Sequence, residues 1–247
     1  MKNFFIIFVL MLSIYGARSQ TIMGTTGWLN MPTADMQKDG TFIAGGSYLN
    51  GDYIKTYGGG GYNALTYYLN ITFLPFLEVS FGNTHLLNYN EGSATVDRRF
   101  SVRLRAVRER EFIPAVVIGA HDVFSSISRE ANTNQYFSSL YIVATKNIPV
   151  KRSEFGITLG YGFNAFRNNQ FVGFFGGVSF SPSFLRQLTL IAEYDAESFN
   201  LGGNILFFKH LFVYAMVKDF KNFSGGIAYR IYLLNKLKKN RKKKSNK

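Results

Sequence analysis

From residue 41 onward, bulky apolar residues recur at every second position, with small or polar residues between them. That is the side-chain period of a strand with two unlike faces. In 62–73, Leu65, Tyr67, Leu69, Ile71 and Phe73 share one face, and Ala64, Thr66, Asn70 and Thr72 share the other. In 154–163, Phe155, Ile157, Leu159, Tyr161 and Phe163 oppose Glu154, Gly156, Thr158, Gly160 and Gly162. In 186–195, Leu188, Leu190, Ala192 and Tyr194 oppose Gln187, Thr189, Glu193 and Asp195. The pattern predicts about twelve strands, with ten to fourteen compatible: 41–48, 62–73, 77–83, 97–106, 113–121, 136–146, 154–163, 171–180, 186–195, 202–208, 211–218 and 223–232.

The two faces point to an inside-out arrangement. A soluble sandwich turns its apolar faces inward against each other. Here the face opposite the bulky residues is rich in Gly, Ser and Thr, as in a transmembrane antiparallel up-and-down β-barrel with lipid outside and a polar lumen. The fold class predicted is therefore all-β. Connection lengths agree. The links after odd-numbered strands are 49–61, 84–96, 122–135, 164–170, 196–201 and 219–222, and the first three are long. Those after even-numbered strands are 74–76, 107–112, 147–153, 181–185 and 209–210, all short. Long loops on one side and tight turns on the other mark outer-membrane barrels, and an even strand count places both termini on the short-turn, periplasmic side.

This reading explains "DRRFSVRLRAVRERE" (97–111), with six arginines among evenly spaced apolar residues. Phe100, Val102, Leu104 and Ala106 face lipid, while Arg99, Ser101, Arg103 and Arg105 line the lumen. An arginine facing lipid at mid-membrane would cost about 2–4 kcal/mol, so the register is strongly specified. The lumenal ladder has two readings. It pairs with carboxylates across the barrel, for which Glu78, Glu193 and Asp195 are natural partners, or it contacts an anionic solute or polymer, which the forked guanidinium suits.

The ends read differently. "MKNFFIIFVLMLSIYGARSQ" has a short positive n-region, an apolar core too short for a membrane helix, and small residues at 17 and 19. It predicts a cleaved signal peptide over 1–19 and an exported chain. Residues 20–40 form an ordered periplasmic segment or a partial plug, with "TADMQKDG" (33–40) able to make one helical turn capped by Thr33. The barrel spans 41–232, and 233–247 is a polybasic periplasmic tail. The net charge is +13, but "KLKKNRKKKSNK" (236–247) contributes eight of those charges and the body is only mildly basic, so a nucleic-acid partner is not expected. The tail is a solvated end or a contact for an anionic surface.

Little chemistry is legible. There is no cysteine, and His85, His121 and His210 are far apart, so neither a metal nor another cofactor is expected. His121 and Asp122, near Ser125, Ser126 and Ser128, are weak candidates at the long-loop rim. Adjacent strand residues point to opposite faces, so the two do not form a ready dyad, and no G-x-S-x-G elbow is present. His85 and His210 fall at loop positions and are expected to be solvated. "TYGGGGYNA" (56–64) lacks the Gly-Lys-Ser/Thr of a phosphate loop.

Two stretches carry a resemblance. "GTTGWLNMPTADMQKDGTF" (24–42) is similar to the opening of YjbH-type exopolysaccharide-biosynthesis outer-membrane proteins: a Gly-rich turn, a small apolar pair, then Pro-Thr and a later Asp-Gly. "DRRFSVRLRAVREREFIPAVVIGAHDVFSS" (97–126), followed by "YFSSLYIVATKNI" (136–148), resembles the same family's strand–turn–strand with a basic lumen face. The resemblance spans roughly 22–195, in a shorter chain than the family's usual one. Where the family has Arg before the aspartate, this chain has His121. The resemblance implies an outer-membrane barrel associated with secretion or assembly of an extracellular polysaccharide; the first expectation is that it acts non-catalytically, through a basic-lined lumen. Its partners would be outer-membrane lipid, an anionic polysaccharide and other secretion components. The alternatives are a membrane-embedded lipid hydrolase or acyltransferase, and a structural barrel that scaffolds a secretion or adhesion complex.

Overall fold

A computed structural model describes residues 19–53, 61–87, 96–123, 137–166 and 169–234. Among them, twelve strands close into one antiparallel up-and-down barrel. In chain order they are β1 (Thr41–Leu49), β2 (Ala64–Phe73), β3 (Leu77–Leu86), β4 (Val96–Val107), β5 (Ala115–His121), β6 (Ser139–Val150), β7 (Ser153–Phe163), β8 (Gly173–Ser181), β9 (Leu188–Tyr194), β10 (Phe199–Phe207), β11 (Leu211–Lys218) and β12 (Asn222–Tyr232). Each pairs with its sequence neighbour, and β1 closes the ring on β12, with Thr41 opposite Tyr232 and Tyr48 opposite Gly225. Closure leaves no sheet edge unpaired.

Alternation sorts the side chains as the sequence pattern demands. Leu65, Tyr67, Leu69 and Phe73 of β2, Ile118 of β5, Ile157, Leu159 and Tyr161 of β7, and Leu190 and Tyr194 of β9 are exposed on the outside. Thr66, Asn70 and Thr72 of β2 are buried inside. Two departures have local causes. β6 runs four residues past its expected end, reducing the expected 147–153 link to Lys151 and Arg152. Pro149 sits opposite Glu154 beside that turn, where a strand tolerates its missing N–H. In β4, Arg105 pairs with Val117 and Val107 with Val116, leaving Ala106 in a bulge at the short-turn end. Several tight connections use left-handed non-glycine residues: Phe208 and Lys209 (φ 50° and 66°) and Asp219 and Phe220 (φ 48° and 59°). Two consecutive positive φ values match the turn twist to the strand twist.

Much of the interior is filled by side chains. Tyr68, Tyr141, Phe175, Phe212 and Tyr214 project inward and are buried. The glycines of the lumenal face give these rings room. A Cβ at Gly119 would collide with the Tyr141 ring, one at Gly160 with Phe175, and one at Gly45 with Tyr68. Residues 19–40 lie inside as well, with Ile22, Leu29, Met31, Ala34 and Met36 at 0–1% exposure. The segment folds on itself through bridges Gln20–Thr26 and Gly27–Pro32 and leaves the barrel directly into β1. No helix forms over 33–40. The peptide groups there bond to the wall instead: Ala34 N donates to Thr145 Oγ1 at 2.7 Å, and the Thr33 and Asp35 carbonyls accept from Arg103.

Candidate functional site

The inward charges, which carried the functional expectation, are built around the N-terminal segment. Glu78 stands on β3 directly opposite Arg103 of β4. Their side chains are buried, at 1% and 0% exposure, with Arg103 Nη1 donating to Glu78 Oε2 at 2.8 Å. Glu78 Oε1 also accepts from Thr26 N at 2.8 Å and from Asn70 Nδ2 at 2.9 Å. From Nη2, Arg103 donates to the Thr33 and Asp35 carbonyls. One ion pair thus grips the N-terminal segment through both partners. A buried carboxylate or guanidinium is tolerable only when its remaining hydrogen-bonding positions are met.

Arg99, four residues up β4, is also buried, and Glu78 is not among its partners. It donates to Thr84 Oγ1 at 2.6 Å, to Thr66 Oγ1 at 2.7 Å and to Met23 O at 3.1 Å. Its guanidinium lies 5.0 Å from the Phe137 ring centroid. Arg105 sits apart at the short-turn mouth, bonded to the Pro75 carbonyl. The ladder is therefore two buried anchors and one mouth residue.

Glu193 and Asp195, read as partners of the arginines, meet amides instead. Glu193 accepts from Leu29 N at 3.1 Å, Asn30 N at 2.7 Å and Met31 N at 3.2 Å. Asp195 accepts from Asn30 Nδ2 at 2.6 Å and Asn200 Nδ2 at 2.8 Å, and its Oδ1 takes the amides of Glu197 and Ser198. Three consecutive backbone donors converging on one carboxylate make a charge-assisted anchor. Sequence reasoning missed the donors: Thr26, Leu29, Asn30 and Met31. The available signal was a non-alternating stretch, with Ile22, Met23, Trp28, Leu29, Met31 and Met36 among its residues, next to a barrel with acids on its inner wall.

His121 and Asp122 are both buried, at 4% and 1% exposure. Alternation had put them on opposite faces. Asp122 escapes it because the strand ends there, with φ of 52°. His121 Nε2 lies 3.2 Å from Tyr141 Oη, and its ring stacks edge-on to Tyr141 and Phe171. Ser138 Oγ donates to Asp122 Oδ2 at 3.5 Å. The geometry is a buried imidazole packed against the edges of two rings, Tyr141 and Phe171. Ser125, Ser126 and Ser128, residues 56–60 of the glycine run and residues 235–247 of the tail lie outside the described residues. His85 and His210, expected to be solvated, are engaged at strand ends. His85 stacks on Tyr67 at 5.6 Å, and His210 Nδ1 lies 2.6 Å from the Arg230 carbonyl.

At the long-loop end, Tyr53 lies beneath Lys218, whose Nζ is 4.8 Å from its ring centroid. Burial, with Asp195, Glu193 and Asp219 nearby, pushes its phenol well above the usual tyrosine range. It stays a neutral hydroxyl.

Comparison with known proteins adds one finding. No curated protein matches the chain. The family model YjbH, described as exopolysaccharide biosynthesis protein YbjH, matches residues 19–171, from the start of the lumenal segment to the edge of β8. That range covers the Glu78–Arg103 pair and everything the segment binds on β1–β6. With more than half its length matched, the chain belongs to the YjbH family of exopolysaccharide biosynthesis proteins.

Proposed function

We propose that this protein is a non-catalytic outer-membrane barrel that serves secretion or assembly of an extracellular polysaccharide, with its lumen plugged by residues 20–40. One observation carries the membrane part: the outer face. Along most of each strand it is apolar, with Asn83 and Arg98 toward the long-loop end and Lys146 toward the short-turn end as polar exceptions, and exposed rings gather at both rims. Phe73, Phe76, Phe112, Phe155, Phe184, Phe207 and Phe208 stand at the short-turn end. Tyr67, Phe163, Phe174, Tyr194, Phe199, Phe220 and Phe223 stand at the other. Aromatic girdles flanking an apolar band are what a lipid bilayer selects on a barrel. In water the same surface would be a large aggregating patch.

The polysaccharide part rests on the family description. Against a free passage for polymer, Arg99, Arg103, Glu78 and Glu193 already hold the N-terminal segment across the lumen. Against a hydrolase, His121 is enclosed by Tyr141 and Phe171 rather than open to substrate.

Fractionation tests the reading. The mature chain should enter the outer-membrane fraction and migrate faster in gels when unheated than when boiled. A deletion strain should lose extracellular polymer. A chain that remains soluble in the periplasm without detergent overturns the membrane assignment, and normal polymer output overturns the role.

A further inference from the structure

The N-terminal segment does not fill the barrel to its short-turn mouth. Two adjoining cavities remain between it and the wall. The outer, of about 580 Å³, lies under the 105–111 turn. The inner, of about 270 Å³, runs up the inside of β7, β8 and β9. They share Asp35, Gln37, Lys38, Glu109 and Asn147 in their linings. Cavities of this size at the mouth of a barrel are where small ligands bind.

We infer that the inner cavity binds a short, uncharged oligosaccharide. The choice of ligand class rests on the polysaccharide reading above; the site itself rests on its lining. A sugar ring offers hydroxyls that both donate and accept, and a C–H face that lies on aromatic surface. The cavity presents the matching set. Ser179, Ser181 and Thr189 bring three hydroxyls to adjacent strands, with Ser181 Oγ and Thr189 Oγ1 3.0 Å apart. Each can turn its proton toward a ligand. Trp28 supplies the ring. It borders the cavity beside Gly156, where a Cβ would stand 3.3 Å from Trp28 Cζ2 and 3.2 Å from Asn147 Oδ1. The missing side chain at 156 leaves open the point where indole, amide and the Ser179 hydroxyl converge.

Charge argues for a neutral ligand. The inner cavity sets the carboxylates of Asp35 and Glu154 against Lys38 and Arg230, with Glu109 already paired to Lys146 at 3.0 Å. Arg230 is committed elsewhere: Nη1 donates to Gln37 at 3.2 Å, Nε and Nη2 reach the Lys209 carbonyl, and the guanidinium lies between Phe212 and Tyr232. An anionic sugar would meet more carboxylate than available cation. The cavity ends against the N-terminal segment, so it holds a short stretch or an end of a glycan rather than threading a polymer.

Trp28 is the sole tryptophan, so its emission reports on the site directly. The full-length mature chain, purified in a detergent without a sugar headgroup, is titrated with maltotriose, cellotriose and tri-N-acetylchitotriose, and with trigalacturonate as the anionic comparison. At least one neutral trisaccharide should give a saturable change in emission. Thr189→Val and Ser179→Ala should each weaken it by about ten-fold, the equivalent of one lost hydrogen bond, while heat-modifiable migration shows that both variants still fold. No saturable response to any neutral trisaccharide overturns the inference. So does a response unchanged in both variants, or tighter binding of trigalacturonate. Polymer output from a deletion strain is scored separately. Lost output without trisaccharide binding sinks the site alone, and binding with normal output keeps the site and sinks its link to polysaccharide export.

Discussion

Glu78 and Arg103 show how much a single residue pair decides. Their alternation on β3 and β4 was legible: both had to face inward, because an outward arginine is heavily penalised in lipid. Their pairing was not, since any of three acids could have met the ladder. Directly opposite register settled it. Removing one partner from a buried pair leaves the other charge uncompensated, at about 3–5 kcal/mol. Glu78→Ala also strands the Thr26 amide. The temperature at which the unheated, fast-migrating gel band is lost should therefore fall sharply in Glu78→Ala. The double variant Glu78→Leu/Arg103→Met should be more stable than either single change. A double variant worse than both singles would mean that the pair is not the coupled unit described. Glu193 makes a different prediction. Its carboxylate holds three consecutive amides, so Glu193→Ala should speed hydrogen exchange at Leu29, Asn30 and Met31 with little change in the amides of β3–β7. Unchanged protection there would remove the anchor.

At the scale of elements, the strands and the N-terminal segment differ in kind. A strand announces itself through period-two patterning, and all twelve were readable that way, with their ends off by a few residues. The segment 19–40 has no period because it contacts wall on several sides at once. Ser47 Oγ on β1 donates to the Ile22 carbonyl, Asn70 on β2 to the Gly24 carbonyl, and Asn204 on β10 to Ser19. Its first half also bonds to itself, Ile22 N to the Leu29 carbonyl and Trp28 N to the Met31 carbonyl, but around 33–35 the peptide groups go to Thr145 and Arg103 on the wall, where the expected helical turn does not form. The segment is also the plug on which the functional reading depends. In planar bilayers the full mature chain should show no steady conductance, and a variant lacking residues 20–39 should show ohmic steps. A conducting full-length chain would mean that the segment does not block the passage.

For the whole molecule, the outer surface carries the decisive test. If the band between the aromatic rims contacts hydrocarbon, position along the barrel axis should set the cost of a charge. Leu69 sits at the middle of β2 and Phe112 at the tip of a short turn. Leu69→Arg should destabilise by about 2–4 kcal/mol and Phe112→Arg by about 0–1 kcal/mol, measured by folding into vesicles. Equal costs would argue that no bilayer surrounds the band. Closure of β1 on β12 gives the same surface all the way round.

The sequence by itself determined an antiparallel barrel of about twelve strands, the face of most strand side chains and the long connections among the first three odd-numbered links, because period and turn chemistry are local properties of a chain. It also placed Arg99, Arg103, Glu78, Glu193 and Asp195 inside. Only the tertiary structure decided what those charges do. Whether an inward arginine meets a carboxylate, a carbonyl or an incoming ligand depends on which strand stands opposite and what occupies the lumen. Both are set by ring closure and by a segment more than a hundred residues away from some of its partners. The glycines make the same point: in sequence they mark the small-residue, lumenal face, and in the barrel they are the recesses into which Tyr68, Tyr141 and Phe175 fit.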